Sequence, residues 1–347
     1  MKAAPVARAL TDAGAHVRII HTGQHYDPEM SDVFVRQLGM PAPDVFLGVG
    51  SGTHGAQTAR ALEGIEADLL TWRPDVVVVP GDVNSTLAGA LAAVKLGIPV
   101  CHLEAGLRSY DRTMPEEHNR VVADHLSSLL LVHSDGAIEN LALEGIREGV
   151  VNVGNTMIDS LLSHLDAARA TDALAEIGVE HGTYLLVTFH RPSLVDDPER
   201  LRSTLEGLGA IAAEIPVVFP VHPRTRAQIA EAGLERTARS AILTPPLPYL
   251  SFLALEAAAR GVLTDSGGVQ EETSALGVRC FTLREATERP ITVELGTNTV
   301  LGARPERIHE IAALLEAPKP GGPIPLWDGR ASPRAARAIL DACEADD

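Results

Sequence analysis

Short apolar runs alternate with helical patterns along almost all of the 347 residues, and that alternation is what most restricts the fold. Runs of this kind are strands buried on both faces, and the segments between them are long enough for crossover helices, so the pattern requires βαβ units and parallel sheets. In the first half the strands are expected at "HVRIIH" (16–21), "DVVVVP" (75–80), "IPVCHL" (98–103) and "LLLVHS" (129–134), with helices at 54–71 and 84–96. The pattern turns polar around 170–183 and then restarts with "YLLVTFH", "IPVVFPVH", "AILTPP", "GVLTDS" and "RCFTLR". The expectation is an α/β protein of two doubly wound domains, residues 1–170 and 171–330, whose strand ends face a shared cleft. Residues 331–347 form a final helix with a Ser cap, packing back on the first domain.

Composition excludes several classes. A formal charge of −17 repels nucleic acid and anionic membranes. Cys101, Cys280 and Cys343 are too few and too scattered for a disulfide framework or a zinc knuckle. The thirteen histidines show no paired ligand spacing, so no metal site is expected. No run has the length of a membrane span, and "MKAAPVARALTDAG" reads as an amphipathic helix rather than a signal sequence, which points to the cytoplasm. "GSGTHG" (50–55) matches GxGxxG but lies outside a first βαβ unit, so no dinucleotide site follows.

Acids collect where strands end. "VVVVPGDVNSTLAG" puts Asp82 just past a strand, and "PVCHLEAGLRS" puts Glu104 at the same edge of the next one. "MPEEHNRVVADHL" opens a helix with Pro115 in its first turn and Glu116 and Arg120 one turn apart on one face. Singly, these are a helix cap and a surface ion pair. Three acids converging on one edge fit proton transfer better. In the second half, "GVLTDSGGVQEE" runs from a strand through Asp265, Ser266, Gly267 and Gly268 into a helix, whose first amides suit a diphosphate, with Glu272 placed for ribose hydroxyls. His190 with Arg191, and His222 with Arg224, end two further strands, either as caps or as partners for a departing diphosphate.

Taken together, "HTGQHYD", "GDVNSTLA", "HLEAGLRS", "PEEHNR", "GNTMIDSL", "TFHRPSLVDD", "PVHPRTR", "LTDSGGVQEE", "TERP", "GTNTVLG" and "DGRAS" resemble, in order, the non-hydrolysing UDP-N-acetylglucosamine 2-epimerases. The resemblance implies the GT-B fold of two Rossmann-like domains, a homodimer, a role in cell-envelope polysaccharide synthesis and no cofactor. It makes Asp82, Glu104, Glu116 and His190 catalytic. It assigns Lys2, Arg120, His222, Ser266, Gly267, Gly268 and Glu272 to the substrate, and places Gln24 and His25 where some members hold a second, activating UDP-GlcNAc. The implied reaction interconverts UDP-GlcNAc and UDP-ManNAc by loss and return of UDP through a 2-acetamidoglucal. A GT-B glycosyltransferase, a hydrolysing 2-epimerase and a non-catalytic UDP-sugar binder are the competing readings. Family members begin with a strand and a "GTRPE"-type turn before the lysine that Lys2 matches. The sequence starts inside that motif, so a first domain lacking that strand and its arginine is expected. "FHRPSLVDD" in place of "GHRREN", and Ile291 after "TERP", are smaller departures.

Overall fold

The computed structural model describes residues 1–24 and 40–345 and divides into two compact units, residues 1–163 with 325–347, and residues 164–324. In the first unit, strands β3 (Val77–Pro80), β4 (Val100–Leu103), β5 (Leu129–Val132) and β6 (Val150–Asn152) form a parallel sheet in sequence order. A separate parallel pair joins β1 (Ile20–His21) to β2 (Val45–Phe46). Helices α1 (Ala3–Asp12), α2 (His54–Thr71), α3 (Asn84–Lys95), α4 (Pro115–Leu126), α5 (Asp135–Leu143) and α6 (Thr156–Arg169) connect or flank these strands. The unit boundary falls inside α6.

The strand runs are continuously apolar because alternate residues serve two cores. Val79 and Val100 pack with Ala61 and Ile65 of α2 and with the alanines of α3. Cys101, Leu103 and Leu131 point the other way, onto Val6 and Leu10 of α1 and Ala335 and Ile339 of the final helix. The small alanines of α3 allow that helix to lie close over the sheet, and Gly89, whose added Cβ would stand 2.9 Å from Val79, extends the same close approach.

In the second unit, β7 (Leu185–Thr188), α7 (Pro198–Ala212), β8 (Val217–Pro220), α8 (Pro223–Glu231) and β9 (Ile242–Thr244) build outward in one direction. The chain then crosses back through α9 (Tyr249–Ala258) to β10 (Gly261–Thr264) on the other side of β7. It continues through α10 (Gly267–Leu276), β11 (Arg279–Thr282) and β12 (Asn298–Val300) to α11 (Glu310–Glu316). The sheet order β12-β11-β10-β7-β8-β9 therefore reverses between β7 and β10, with Thr188 level with Thr264. That reversal point is where the loops after two strands splay apart and leave a crevice.

The short strands β2, β6 and β12 have too few apolar residues to be recognised from a run, and "HVRIIH" contributes only Ile20 and His21 as strand. The final helix, α12 (Ala331–Ala345), packs on α1 within the first unit. Its expected Ser cap is replaced: the Asp159 carboxylate of α6 accepts from the N–H groups of Ala331 and Ser332 at 3.0 and 2.6 Å. An acid from a neighbouring helix satisfies those end amides and opposes the helix dipole, leaving no such task for a serine hydroxyl.

Candidate active site

At the carboxyl ends of β3 and β4 the backbone makes two left-handed turns. Gly81 has φ +65°, and Glu104 has φ +71°, a conformation that costs a non-glycine residue of order 1–3 kcal/mol. A Cβ on Gly81 would stand in ordinary contact, 3.6 Å from both Glu104 Oε2 and Lys2 Nζ, so what the turn needs of this glycine is its positive φ. Lys2 forms an ion pair with Glu104.

Asp82 is not a helix cap. Helix α3 has Val83 in the cap position, without a side-chain bond, and the Asp82 carboxylate instead accepts from Arg120 Nη2 at 2.6 Å. Arg120 is almost wholly buried and also meets Glu117 at 3.1 Å. The surface pair, the plain alternative for the spacing of Glu116 and Arg120, does not form: the guanidinium turns toward the strand end and toward Glu117. Glu117, which the sequence reading passed over, takes N–H groups from Ser109 and Tyr110, both at 2.9 Å, and so closes the loop that follows Glu104. Its only sequence signal is the second acid of "PEE". Asn119 donates to the Asp82 carbonyl at 2.9 Å and to Asn84 at 3.3 Å, tying α4 to the start of α3.

Glu116 is half-buried and lines a cavity of about 310 Å³ with Gln24, Ser51, Gly52, His54, Gln57, Val83, Asn84 and Asn119. Gln24 accepts from Ser85 N and Oγ at 3.1 and 2.9 Å. His25 lies outside the described residues. Asp82 and Glu104 follow adjacent strands, and Glu116 lies on the helix whose Asn119 and Arg120 reach Asp82; Glu104 lines a different, small cavity with Lys2, His133 and Asn155.

The second unit carries its own cluster at the sheet reversal. Asp265, just past β10, is fully buried and accepts from the N–H groups of His190 and Arg191 at 3.0 and 2.8 Å and lies 3.1 Å from His190 Nδ1. Burial disfavours its charge, but the His190 ring and the two N–H groups prevail and hold the acid below the usual value. The His190 ring is about half exposed and lies 6.3 Å, centroid to centroid, from the His222 ring. Burial, then His190 and Arg224, lower the His222 pKa. Its Nδ1 caps α8 by accepting from Arg224 N at 3.2 Å.

Ser266 stands at the cap position of α10, with Gly267 and Gly268 opening the helix. Arg289 crosses this start: a Cβ on Gly267 would lie 2.7 Å from Arg289 Nη1, so a larger residue here displaces the guanidinium. Arg289 was not singled out from the sequence, though the "TERP" segment contains it. Arg289 also meets the buried acids Glu271 and Glu288 at 3.3 and 3.5 Å. Glu272 is buried one turn further along α10, 3.5 Å from the Tyr249 hydroxyl and facing Glu256 of α9. Burial raises Glu272 to about 7.

Comparison with known proteins gives the family and the fold class. The family model "UDP-N-acetylglucosamine 2-epimerase" matches residues 8–340. A UDP-N-acetylglucosamine 2-epimerase of Methanocaldococcus jannaschii is 42% identical over 98% of the chain and 95% of its own length. A UDP-2,3-diacetamido-2,3-dideoxy-D-glucuronate 2-epimerase of Pseudomonas aeruginosa is 44% identical over 90% of the chain and 88% of its own length. The crystal structure of the M. jannaschii UDP-GlcNAc 2-epimerase in complex with UDP-GlcNAc and UDP covers 98% of the chain and 96% of its own, with a TM-score of 0.89. Likeness to such structures along the whole chain gives the fold class as GT-B. With the family model matched over nearly every residue and relatives above 40% identity over nine-tenths of the sequence, the chain belongs to the UDP-N-acetylglucosamine 2-epimerase family.

Proposed function

We propose that the protein is a non-hydrolysing UDP-N-acetylglucosamine 2-epimerase that interconverts UDP-GlcNAc and UDP-ManNAc. The C2 hydrogen of the sugar sits beside no carbonyl, so direct deprotonation is unfavourable. If the C1–O bond breaks first, its electron pair leaves with UDP and C1 becomes electron-poor. A carboxylate then takes the C2 proton, the C1–C2 double bond forms, and 2-acetamidoglucal results. Return of UDP to C1, with a proton delivered to the opposite face of C2, completes inversion.

The observation that carries this reading is the acid set of the first unit, in which Glu104 is held in a left-handed conformation beside Lys2 while Asp82 is oriented by Arg120. Glu104 and Glu116 exchange the C2 proton, and Asp82 supports them. The second unit supplies the diphosphate site: the start of α10 with Ser266, Gly267 and Gly268, together with Arg289, His190 and His222. Charge developing on the leaving phosphate is stabilised by such preset donors. Glu272 takes the ribose hydroxyls. The cavity lined by Gln24 accommodates part of a second, activating UDP-GlcNAc.

Proton NMR with UDP-GlcNAc in D2O tests the reading. Deuterium at C2 of newly formed UDP-ManNAc, without accumulating UDP, is expected; free UDP with ManNAc means hydrolysis, and release of UDP only on adding an acceptor means glycosyl transfer. The relative that acts on UDP-2,3-diacetamido-2,3-dideoxy-D-glucuronate is as similar as the UDP-GlcNAc enzyme. The same chemistry at C2 serves both sugars, so both are assayed side by side, and the larger kcat/KM identifies the substrate.

A further inference from the structure

We propose that Asp124 and His102 are positioning residues of this reaction, a buried pair that fixes the backbone on both sides of Glu104 and at the turn before Asp82. The proposal rests on the catalytic reading of those two acids.

Asp124 lies on α4 and is fully buried, as is His102 of β4. His102 Nδ1 is 2.6 Å from Asp124 Oδ1, and His102 Nε2 is 2.7 Å from the carbonyl oxygen of Gly81. A carbonyl only accepts. Burial opposes the Asp124 charge, but His102 and Arg108 hold its acid below the usual value, so it is a carboxylate and also only accepts. The His102 ring, with one nitrogen at Asp124 and the other at the Gly81 carbonyl, bridges α4 to the left-handed turn that delivers Asp82.

The same carboxylate accepts from Gly106 N at 3.3 and 3.2 Å and from Arg108 Nη1 at 2.6 Å. Residues 102, 106 and 108 are thus tied to one side chain, with Glu104 between them. Gly106 has φ +77°, and a Cβ there would lie 2.5 Å from the Ala137 carbonyl oxygen, so this segment cannot shift toward α5. Arg108 is anchored at its far end by Glu144 at 2.7 and 2.6 Å. With both flanks fixed, and with the Glu104 and Ala105 N–H groups bonded to the Leu131 carbonyl at 3.0 and 3.1 Å, the unfavourable φ of Glu104 is imposed by its surroundings. Neither Asp124 nor His102 reaches the surface. Their effect on chemistry passes through the backbone that aims Glu104 and Asp82.

The experiment starts with wild-type epimerisation of UDP-GlcNAc; absence of turnover there refutes the functional reading and not this one. In the active enzyme, Asp124→Asn is expected to lower kcat about 100-fold, the effect of a displacement near 1 Å, with KM changed less than about threefold. Because the pair aims Glu104 as well as Asp82, Asp124→Asn added to Glu104→Gln is expected to lower kcat by a clearly smaller factor than it does in the wild type. Independent effects that multiply, or a loss confined to KM, overturn the proposal. His102→Gln, assayed in the same way, gives a second reading in a separate variant. A fall in kcat with KM nearly unchanged is expected there too, with circular dichroism showing the fold retained; wild-type kcat in the folded His102→Gln protein overturns the proposal.

Discussion

Replacing Glu256 by glutamine is expected to stabilise the protein, and by an amount that depends on pH. Glu256 is fully buried on α9 and faces Glu272 of α10. Burial, and then the neighbouring carboxyl, push its pKa well above the usual 4.5, and burial carries Glu272 to about 7. Both acids bind protons more tightly in the folded chain than in the unfolded one. As pH rises above 4.5 the unfolded chain gains from ionising and the folded chain does not, so stability falls with rising pH through this window. Each unit of pH over which Glu256 stays neutral while the unfolded chain ionises lowers stability by about 1.4 kcal/mol. Glutamine keeps the shape, donates an N–H to Glu272 and has nothing to ionise. Glu256→Gln should therefore exceed the wild type by about 1–3 kcal/mol at pH 7 and match it near pH 4.5. Urea unfolding followed by circular dichroism from pH 4.5 to 8 measures this. Trp72 and Trp327 both belong to the first unit, so their fluorescence reports that unit separately. A difference that stays constant with pH, or a variant less stable than wild type at pH 8, would falsify the account.

Other perturbations follow from the same geometry. Glu104→Gln should reduce epimerisation by orders of magnitude while UDP affinity measured by calorimetry stays nearly the same; near-normal turnover removes Glu104 from the chemistry. Gly267→Ala sets a methyl where Arg289 now lies and should weaken UDP binding about tenfold or more, the loss of one charge-assisted bond, with an unchanged Kd as the contrary result. Glu288 is held at about 2 despite burial because Arg284 and Arg289 stabilise its charge. Glu288→Gln should thus cost about 3 kcal/mol at pH 7, with the gap closing as pH falls from 4.5 toward 2, read by thermal unfolding across that range. Gly106→Ala combines a left-handed φ with a clash on Ala137 and should destabilise by more than about 2 kcal/mol, so a melting temperature within a degree of wild type contradicts it.

Much of the fold was legible in the sequence because a parallel strand buried on both faces must be apolar at every position, and "DVVVVP" or "LLLVHS" admits few other readings. Asp82, Glu104 and Asp265 could be placed at strand ends for a related reason: they are the first charged residues after such runs, and strand ends in this class of sheet face a crevice. What stayed hidden depends on direction. Spacing along α4 pairs Arg120 with Glu116, yet the guanidinium points at Asp82, a residue 38 positions earlier that no helical period connects to it. Arg289 reaches the start of α10 from a loop beyond β11, and its "TERP" context gives no measure of that reach. His102 reads as one more residue of a buried strand until its two ring nitrogens are seen to meet Asp124 and Gly81.

The reversal of strand order between β7 and β10 bears on how the nucleotide surface is assembled. His190 and Arg191 leave β7, but the acid that orders them arrives only after the chain has laid down β8 and β9 and crossed back to place β10 on the opposite side. A chain that has formed β7, β8 and β9 already has a paired three-stranded sheet and still lacks Asp265 and the start of α10. On the proposed reading, a segment ending at β9 cannot bind nucleotide here whatever its sheet content, because Asp265 and the start of α10 belong to the part that follows. A ligand that binds there stabilises only molecules that have made the crossing, so UDP present during refolding should raise the yield of correctly wound second units without speeding the earliest strand pairing.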